Sequence, residues 1–191
     1  GLAVGAVVRV ARSRPCCSSD ARAGGGGERG AGYGDTLRGI GGGWRAARDG
    51  RLVDVVKPGS GQGMGRVARA GQPDLAAAVA AAERGFAVWS RMSVFERYRI
   101  MRQAATLLRA RVDDVAPVLT QEQGKPLAEA RTELLGAADT IDWLAEEGRR
   151  AYGRLIPSRA VGVSQTVIRS PVGPVAAFSP WNFPVNQVVR K

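Results

Sequence analysis

Val175-Ala-Ala-Phe178-Ser-Pro-Trp-Asn-Phe-Pro184 is the stretch on which the fold class turns. Its four opening residues are apolar and bounded by Pro174 and Ser179-Pro180, which is too short for a helix. They read as a strand buried on both faces, the kind that builds parallel sheets. Ser179 to Pro184 is then a loop, and a new helix starts at Val185. Strand, short loop and helix in that order belong to an open α/β sheet, which takes its ligands at the carboxyl ends of the strands. Pro180 and Pro184 fix φ twice, so the loop is stiff and Asn182 presents its side-chain amide in one direction. A rigid, uncharged N–H donor at such a crevice is suited to hold an oxyanion. The competing reading is an Asx-type turn in which Asn182 only caps the following helix. Composition leaves both open.

Upstream, Ser164-Gln-Thr-Val-Ile-Arg169 reads as a strand and Pro171-Val-Gly-Pro174 as a connector. Pro126 opens a long helix to about Tyr152, with Leu127, Ala130, Leu134, Ala138, Ile141 and Ala145 along one side. Its acids Glu129, Glu133, Asp139, Asp142, Glu146 and Glu147 precede Arg149 and Arg150, an order that suits the helix dipole. Glu146 and Glu147 are sequential and point apart, so they are surface groups and no acid–base pair. Gly124 stops a shorter helix near Asp113 to Gln123, which tolerates Pro117 only in its first turn. Ser93-Val-Phe-Glu96 is a capping box, and Val94, Tyr98, Met101, Ala105 and Leu108 form one face of the helix it opens. Gln72-Pro73-Asp74 starts another helix, striped by Leu75, Val79, Ala82, Phe86 and Trp89.

Toward the amino end, Ile40-Gly-Gly-Gly-Trp44 and Leu52-Val-Asp-Val-Val56 read as strands of one small antiparallel unit. Arg48-Asp-Gly50 separates them, and Lys57-Pro-Gly-Ser-Gly61 closes the unit as a turn. Residues 1–32 contain Gly24-Gly-Gly-Gly27 and five arginines against two acids, the composition of a disordered extension. Arg9, Arg12 and Arg14 with Ser13, Ser18 and Ser19 give its first part the character of an organelle-targeting leader, the alternative to a cytoplasmic location.

The whole chain, at 191 residues, is 45% apolar and 24% charged, as globular proteins are. It contains no histidine, which excludes Ser-His-Asp, Cys-His and His-metal chemistry within these residues. Cys16 and Cys17 are adjacent, and a bond between neighbours is strained; two cysteines do not make a zinc site, so no metal is expected. The excess of 28 basic over 17 acidic residues, +11, raises a polyanion partner. That excess is spread out and often sits beside acids, as in Glu83-Arg84 and Glu96-Arg97, with no aromatic interleaving. Solvated helix surface explains it, and nucleic acid is not an expected partner. No run approaches the roughly 20 apolar residues of a membrane span, so no membrane is expected either.

Two of these segments carry a resemblance. Phe178-Ser-Pro-Trp-Asn-Phe-Pro-Val-Asn-Gln-Val-Val-Arg-Lys191 closely resembles the Pro-Trp-Asn-Phe-Pro segment of the NAD(P)-dependent aldehyde dehydrogenase superfamily. Leu119-Thr-Gln-Glu-Gln-Gly-Lys-Pro-Leu-Ala-Glu-Ala130 is similar to its Glu-x-Gly-Lys-Pro signature. Ile40 to Trp44, Val56-Lys-Pro58 and Gly65-Arg-Val-Ala68 fit its N-terminal strands, so the likeness runs from about Leu37 to Lys191. Glu122 to Ala130 and Ile141 to Arg150 look most like the succinate-semialdehyde dehydrogenase branch.

The resemblance implies an α/β protein with an incomplete aldehyde-dehydrogenase-like fold, helices around the start of a doubly wound parallel sheet. Residues 33–191 would be the N-terminal portion of that domain, behind the extension over 1–32. It implies oxidation of a small aldehyde, succinate semialdehyde foremost, with NAD or NADP. A cysteine thiolate attacks, hydride passes to the nicotinamide, and water hydrolyses the thioester with a glutamate base. By the same resemblance Asn182 donates to the thiohemiacetal oxyanion, and Phe178, Ser179, Pro180 and Trp181 line the cofactor cleft. Arg190 binds the substrate carboxylate, and Lys191 lies near a proton path.

In the family the nucleophile, the base and the last oligomerisation strand come after the position of Lys191. These residues alone are therefore expected to be inactive, and a homo-oligomer is expected only of the full-length enzyme. Unpartnered apolar stripes imply poor stability and association in isolation. The alternative from another class is a free-standing interaction module, whose basic tail binds a polyanion or a full-length homologue.

Overall fold

A computed structural model describes residues 36–191, so the extension over 1–32, with Cys16, Cys17 and the leader, lies outside the described residues. The first elements are two separate hairpins. β1 (Arg38–Ile40) pairs antiparallel with β2 (Gly43–Arg45). Gly41 and Gly42 between them have φ of 61° and 81°. A two-residue turn with both central residues left-handed matches the twist of its strands, and glycine adopts it without a Cβ penalty. Ile40 to Trp44 is thus a hairpin corner rather than one strand, which corrects the sequence reading. Nor does it share a sheet with β3 (Leu52–Val56), which pairs instead with β4 (Gly63–Ala68). Lys57 to Gly61 does make the turn between these, and Lys57 N donates to Gln62 O at 2.8 Å.

Four helices follow: α1 (Gln72–Trp89), α2 (Val94–Ala110), α3 (Val112–Gln123) and α4 (Leu127–Arg149). The starts of α1 and α2 are fixed by carboxylates, as expected from the sequence. The Asp74 carboxylate accepts from Gly71 N at 3.0 Å and from Arg48 N at 3.3 Å, which ties the helix start to the chain beyond β2. Chiefly through the Gly71 N–H, its carboxyl is held below the ordinary range. At α2 the capping box forms in full: Ser93 N donates to Glu96 Oε2 at 2.9 Å, and Glu96 N to Ser93 Oγ at 3.2 Å. The Ser93 N–H is likewise the main reason that the Glu96 carboxyl titrates low.

α4 is the central element, with α2, α3 and the short α5 (Asn186–Arg190) packed on it. Its Ala130, Leu134, Ala137, Ala138 and Ala145 are all buried, and small side chains along one face let neighbouring helices approach closely. The core is Val112, Ala116, Leu119, Ala130 and Leu134, with Leu108, Val115 and Val185 packed against it. Arg109 bridges from α2 to Asp139 at 2.6 Å and Asp142 at 2.8 Å on α4. Leu127 and the α1 residues Leu75 and Val79, expected on apolar stripes, are instead exposed; the main neighbour of α1 is β1.

Three boundaries depart from the sequence reading. α4 ends at Arg149, with Pro126 as its N-cap. Pro117 sits in the second turn of α3 rather than the first. The carbonyl it frees belongs to Asp113, and both residues are on the exposed face, where water can take the carbonyl. The expected strand Val175 to Phe178 makes no ladder. Two-stranded antiparallel pairs, including β5 (Arg154–Ile156) with β6 (Gln165–Val167), are the sheets among the described residues. Parallel pairing there is limited to the bridge between Thr36 and Val67. An apolar run becomes a parallel strand only where a neighbour offers its edge, and no described segment does so for 175–178.

Candidate functional site

The loop after Phe178 is held by residues that lie more than fifty positions earlier. Gly124 ends α3 in the left-handed region at φ 86°, where a Cβ would also come within 3.1 Å of Pro58 Cγ. Glycine is required there on both counts. Pro126, at φ −57°, then begins α4. Between helix end and helix start, Lys125 has a side chain only 7% exposed, directed onto Glu133, whose side chain is 1% exposed. The Glu-x-Gly-Lys-Pro motif is therefore a tight corner between two helices whose lysine is directed inward.

What that buried ion pair touches is the candidate site. Lys125 Nζ donates to Glu133 Oε2 and, at 3.0 Å, to the backbone oxygen of Asn182. Gln123 Nε2 reaches the same oxygen at 3.4 Å. The Lys125 ammonium also sits 4.3 Å from the centre of the Phe183 ring, within cation–π range. The other carboxylate oxygen, Glu133 Oε1, accepts from Val185 N at 3.0 Å and Asn186 N at 3.2 Å. These are the unpaired donors at the start of α5, a position usually served by a local serine, asparagine or aspartate. Here a carboxylate from α4 serves them, and Val185 packs its side chain against the core below.

This arrangement removes one of the two readings of Asn182, the helix cap. Val185, not Asn182, is the N-cap of α5, and no local side chain caps that helix. Asn182 is exposed, and its carboxamide makes no hydrogen bond among the described residues. The loop main chain is fastened at Asn182 and just after it, while the Asn182 carboxamide is left free among the described residues.

The other residues singled out from sequence are open to solvent. Phe178 is 84% and Trp181 69% exposed, and Ser179 and Pro180 are exposed as well. From Val172 to Trp181 no backbone group is bonded to another backbone group among the described residues. Arg190 ends α5, exposed and without an ion pair there. Phe178 to Asn182 share one loop by continuity of the chain, and Arg190 stands one short helix further on. Among the described residues no cluster of three or more His, Cys, Asp or Glu side chains could hold a metal ion. No helix there is long and apolar enough to cross a membrane.

Lys125 and Glu133 are the site residues that sequence reasoning missed, although signals for both exist. Only three of the 28 basic residues are lysine. One of them stands between a helix-ending glycine and a helix-starting proline, and a compact point charge on a flexible stem suits such a corner. Glu133 reads from the sequence only as one of six acids ordered along the helix dipole, yet it falls between Ala130 and Ala137 at helical spacing, on the apolar side.

A helical layer that carries an anchored Pro-Trp-Asn-Phe-Pro loop defines a class. Residues 44–191 match the aldehyde dehydrogenase family, and the chain belongs to that family. Among its relatives is the NADP+-linked succinate-semialdehyde dehydrogenase of Escherichia coli, 41% identical over 80% of this chain and 32% of the relative. The 4-(hydroxymethyl)benzenesulfonate dehydrogenase of Comamonas testosteroni is 43% identical over the same shares. The crystal structure of succinate-semialdehyde dehydrogenase from Burkholderia pseudomallei superposes with a TM-score of 0.80 at 40% identity, covering 82% of this chain and 32% of that one. The chain thus spans about a third of the length of these relatives. Its fold is the aldehyde dehydrogenase fold in part, as the resemblance implied.

Proposed function

We propose that these residues are the N-terminal portion, over 33–191, of an enzyme that oxidises a small anionic aldehyde with NAD or NADP, and that Asn182 polarises the aldehyde. The observation that carries this reading is the free Asn182 carboxamide on a main chain tied down at residues 182, 185 and 186. A donor fixed before the reaction stabilises the charge that develops on oxygen without reorganising at that moment. In this role Asn182 Nδ2–H donates to the carbonyl oxygen as it gains negative charge.

Phe178, Ser179, Pro180 and Trp181 fit a dinucleotide cleft, because their backbone groups have no backbone partners among the described residues and two aromatic faces stand open. They would hold and orient the cofactor, whose nicotinamide supplies hydride acceptance when bound. The choice of an anionic substrate rests on the names of two relatives, one acting on a semialdehyde of a carboxylic acid and one on a sulfonate. Arg190, exposed and without an ion pair among the described residues, stands one short helix from the loop, and a guanidinium fork suits a carboxylate. Succinate semialdehyde is the first substrate to try. The 191 residues have no cysteine after Cys17, so alone they would turn over no aldehyde. A homo-oligomeric, cytoplasmic whole enzyme belongs to the same reading.

The test exchanges residues 44–191 for the matching third of the Escherichia coli relative. The chimera is expected to oxidise succinate semialdehyde, and Asn182→Ala to lower its kcat by about 10²–10³-fold. Arg190→Gln is expected to raise KM for succinate semialdehyde and leave KM for an uncharged aldehyde in place. An undiminished kcat in Asn182→Ala overturns the reading.

A further inference from the structure

Burial of the Lys125–Glu133 pair does not by itself explain why the pair is there. Two charges taken out of water cost free energy that their attraction only partly returns, and well-packed apolar residues often do as well. The acid–base pair must therefore be explained by what else it holds. Among the described residues, the pair's remaining hydrogen bonds and its cation–π contact go to one segment: the Asn182 carbonyl, the Phe183 ring, and the N–H groups of Val185 and Asn186.

We infer that Lys125 and Glu133 are positioning residues for Asn182, a clamp that fixes the loop main chain from α4 and so leaves the carboxamide free. Each partner makes one half. Glu133 replaces the local N-cap of α5, a task that Asn182 would otherwise be the nearest side chain to perform. Lys125, with Gln123, holds the Asn182 carbonyl and thereby the direction from which its side chain leaves the backbone. The ion pair between them couples the two halves, and Gly124 and Pro126 fix where the lysine starts. The corner motif and the loop motif, 57 residues apart from Lys125 to Asn182, act as one unit.

The role assigned to the clamp rests on the proposed role of Asn182. Its existence is tested without aldehyde, so either can fail alone. Amide hydrogen exchange is measured on the 191-residue chain and on the double variant Lys125→Met/Glu133→Leu, which buries no unpaired charge. In the unmodified chain the Val185 and Asn186 amides are expected to be protected although they open a five-residue helix. In the double variant their exchange is expected to rise about tenfold, the size of one lost hydrogen bond to a charged group, while Ala137 and Ala138 inside α4 keep their rates. Lys125→Met/Glu133→Gln restores an acceptor alone and is expected to return the two amides toward protection; mere filling of space predicts no such rescue. Unprotected amides in the unmodified chain overturn the clamp, as does a rise shared in proportion by Ala137 and Ala138, or a failed rescue.

Discussion

Residues 161–181 and 182–190 are consecutive and comparably rich in apolar side chains, yet only the second bonds to the helical layer; in the first, backbone pairing is that of β6 with β5, and from Val172 onward none is made among the described residues. In the first, Ile168 is 78% exposed, and Val161, Val172 and Phe178 are exposed as well. In the second, Val185 enters the core and three main-chain groups bond to a buried ion pair. Apolar content alone therefore does not fold a segment. An apolar anchor combined with partners for its backbone donors and acceptors does, because a polar backbone group brought out of water without a partner cancels the gain from burying the side chain beside it.

The contrast can be broken most forcefully at the clamp. Lys125→Met leaves the Glu133 carboxylate buried without its cation, and unfolding by urea is expected to show a loss of about 4 kcal/mol. A loss below 1 kcal/mol would mean that the pair is solvated in the working molecule. Next in size, Leu134→Ala removes a fully buried side chain and is expected to cost about 3 kcal/mol. Phe178→Ala, a larger truncation in the unfastened segment, is expected to stay within about 0.5 kcal/mol. Equal effects of the two would erase the distinction between the regions.

The smallest effects lie at the helix starts. Ser93→Ala is expected to lower stability by about 1 kcal/mol through loss of the capping box. Asp74 and Glu96 titrate below the ordinary carboxylate range when folded. Their contribution is therefore complete above the unfolded pKa and is lost as the pH falls through the lower folded value. Urea midpoints are expected to decline from about pH 4 downward, and less steeply in Glu96→Gln.

Much of this was legible before any coordinates. Ser93-Val-Phe-Glu96 could be read as a cap because its partners are three residues apart, and the inward face of α2 because its period is local. The Pro-Trp-Asn-Phe-Pro and Gly-Lys-Pro motifs pointed to the family. What escaped reading depends on distant partners. Val175 to Phe178 has the composition of a buried strand but needs a neighbouring edge, and Gly41-Gly42 in a glycine run could be strand or turn until its pairing was known. Glu133 looked like one acid among six on a helix; its burial becomes evident only when α5 and Lys125 are brought against it. That Asn182 does not cap its own helix could not be inferred locally at all, since the cap comes from 52 residues away.

One measurement tests the central claim most directly: residue-resolved hydrogen exchange across 170–190 in the unmodified chain. The anchored loop predicts a step, with fast exchange through Trp181 and protection beginning at Val185 and Asn186. Uniformly fast exchange to the end of α5 would contradict it, and with it the fixed position of Asn182.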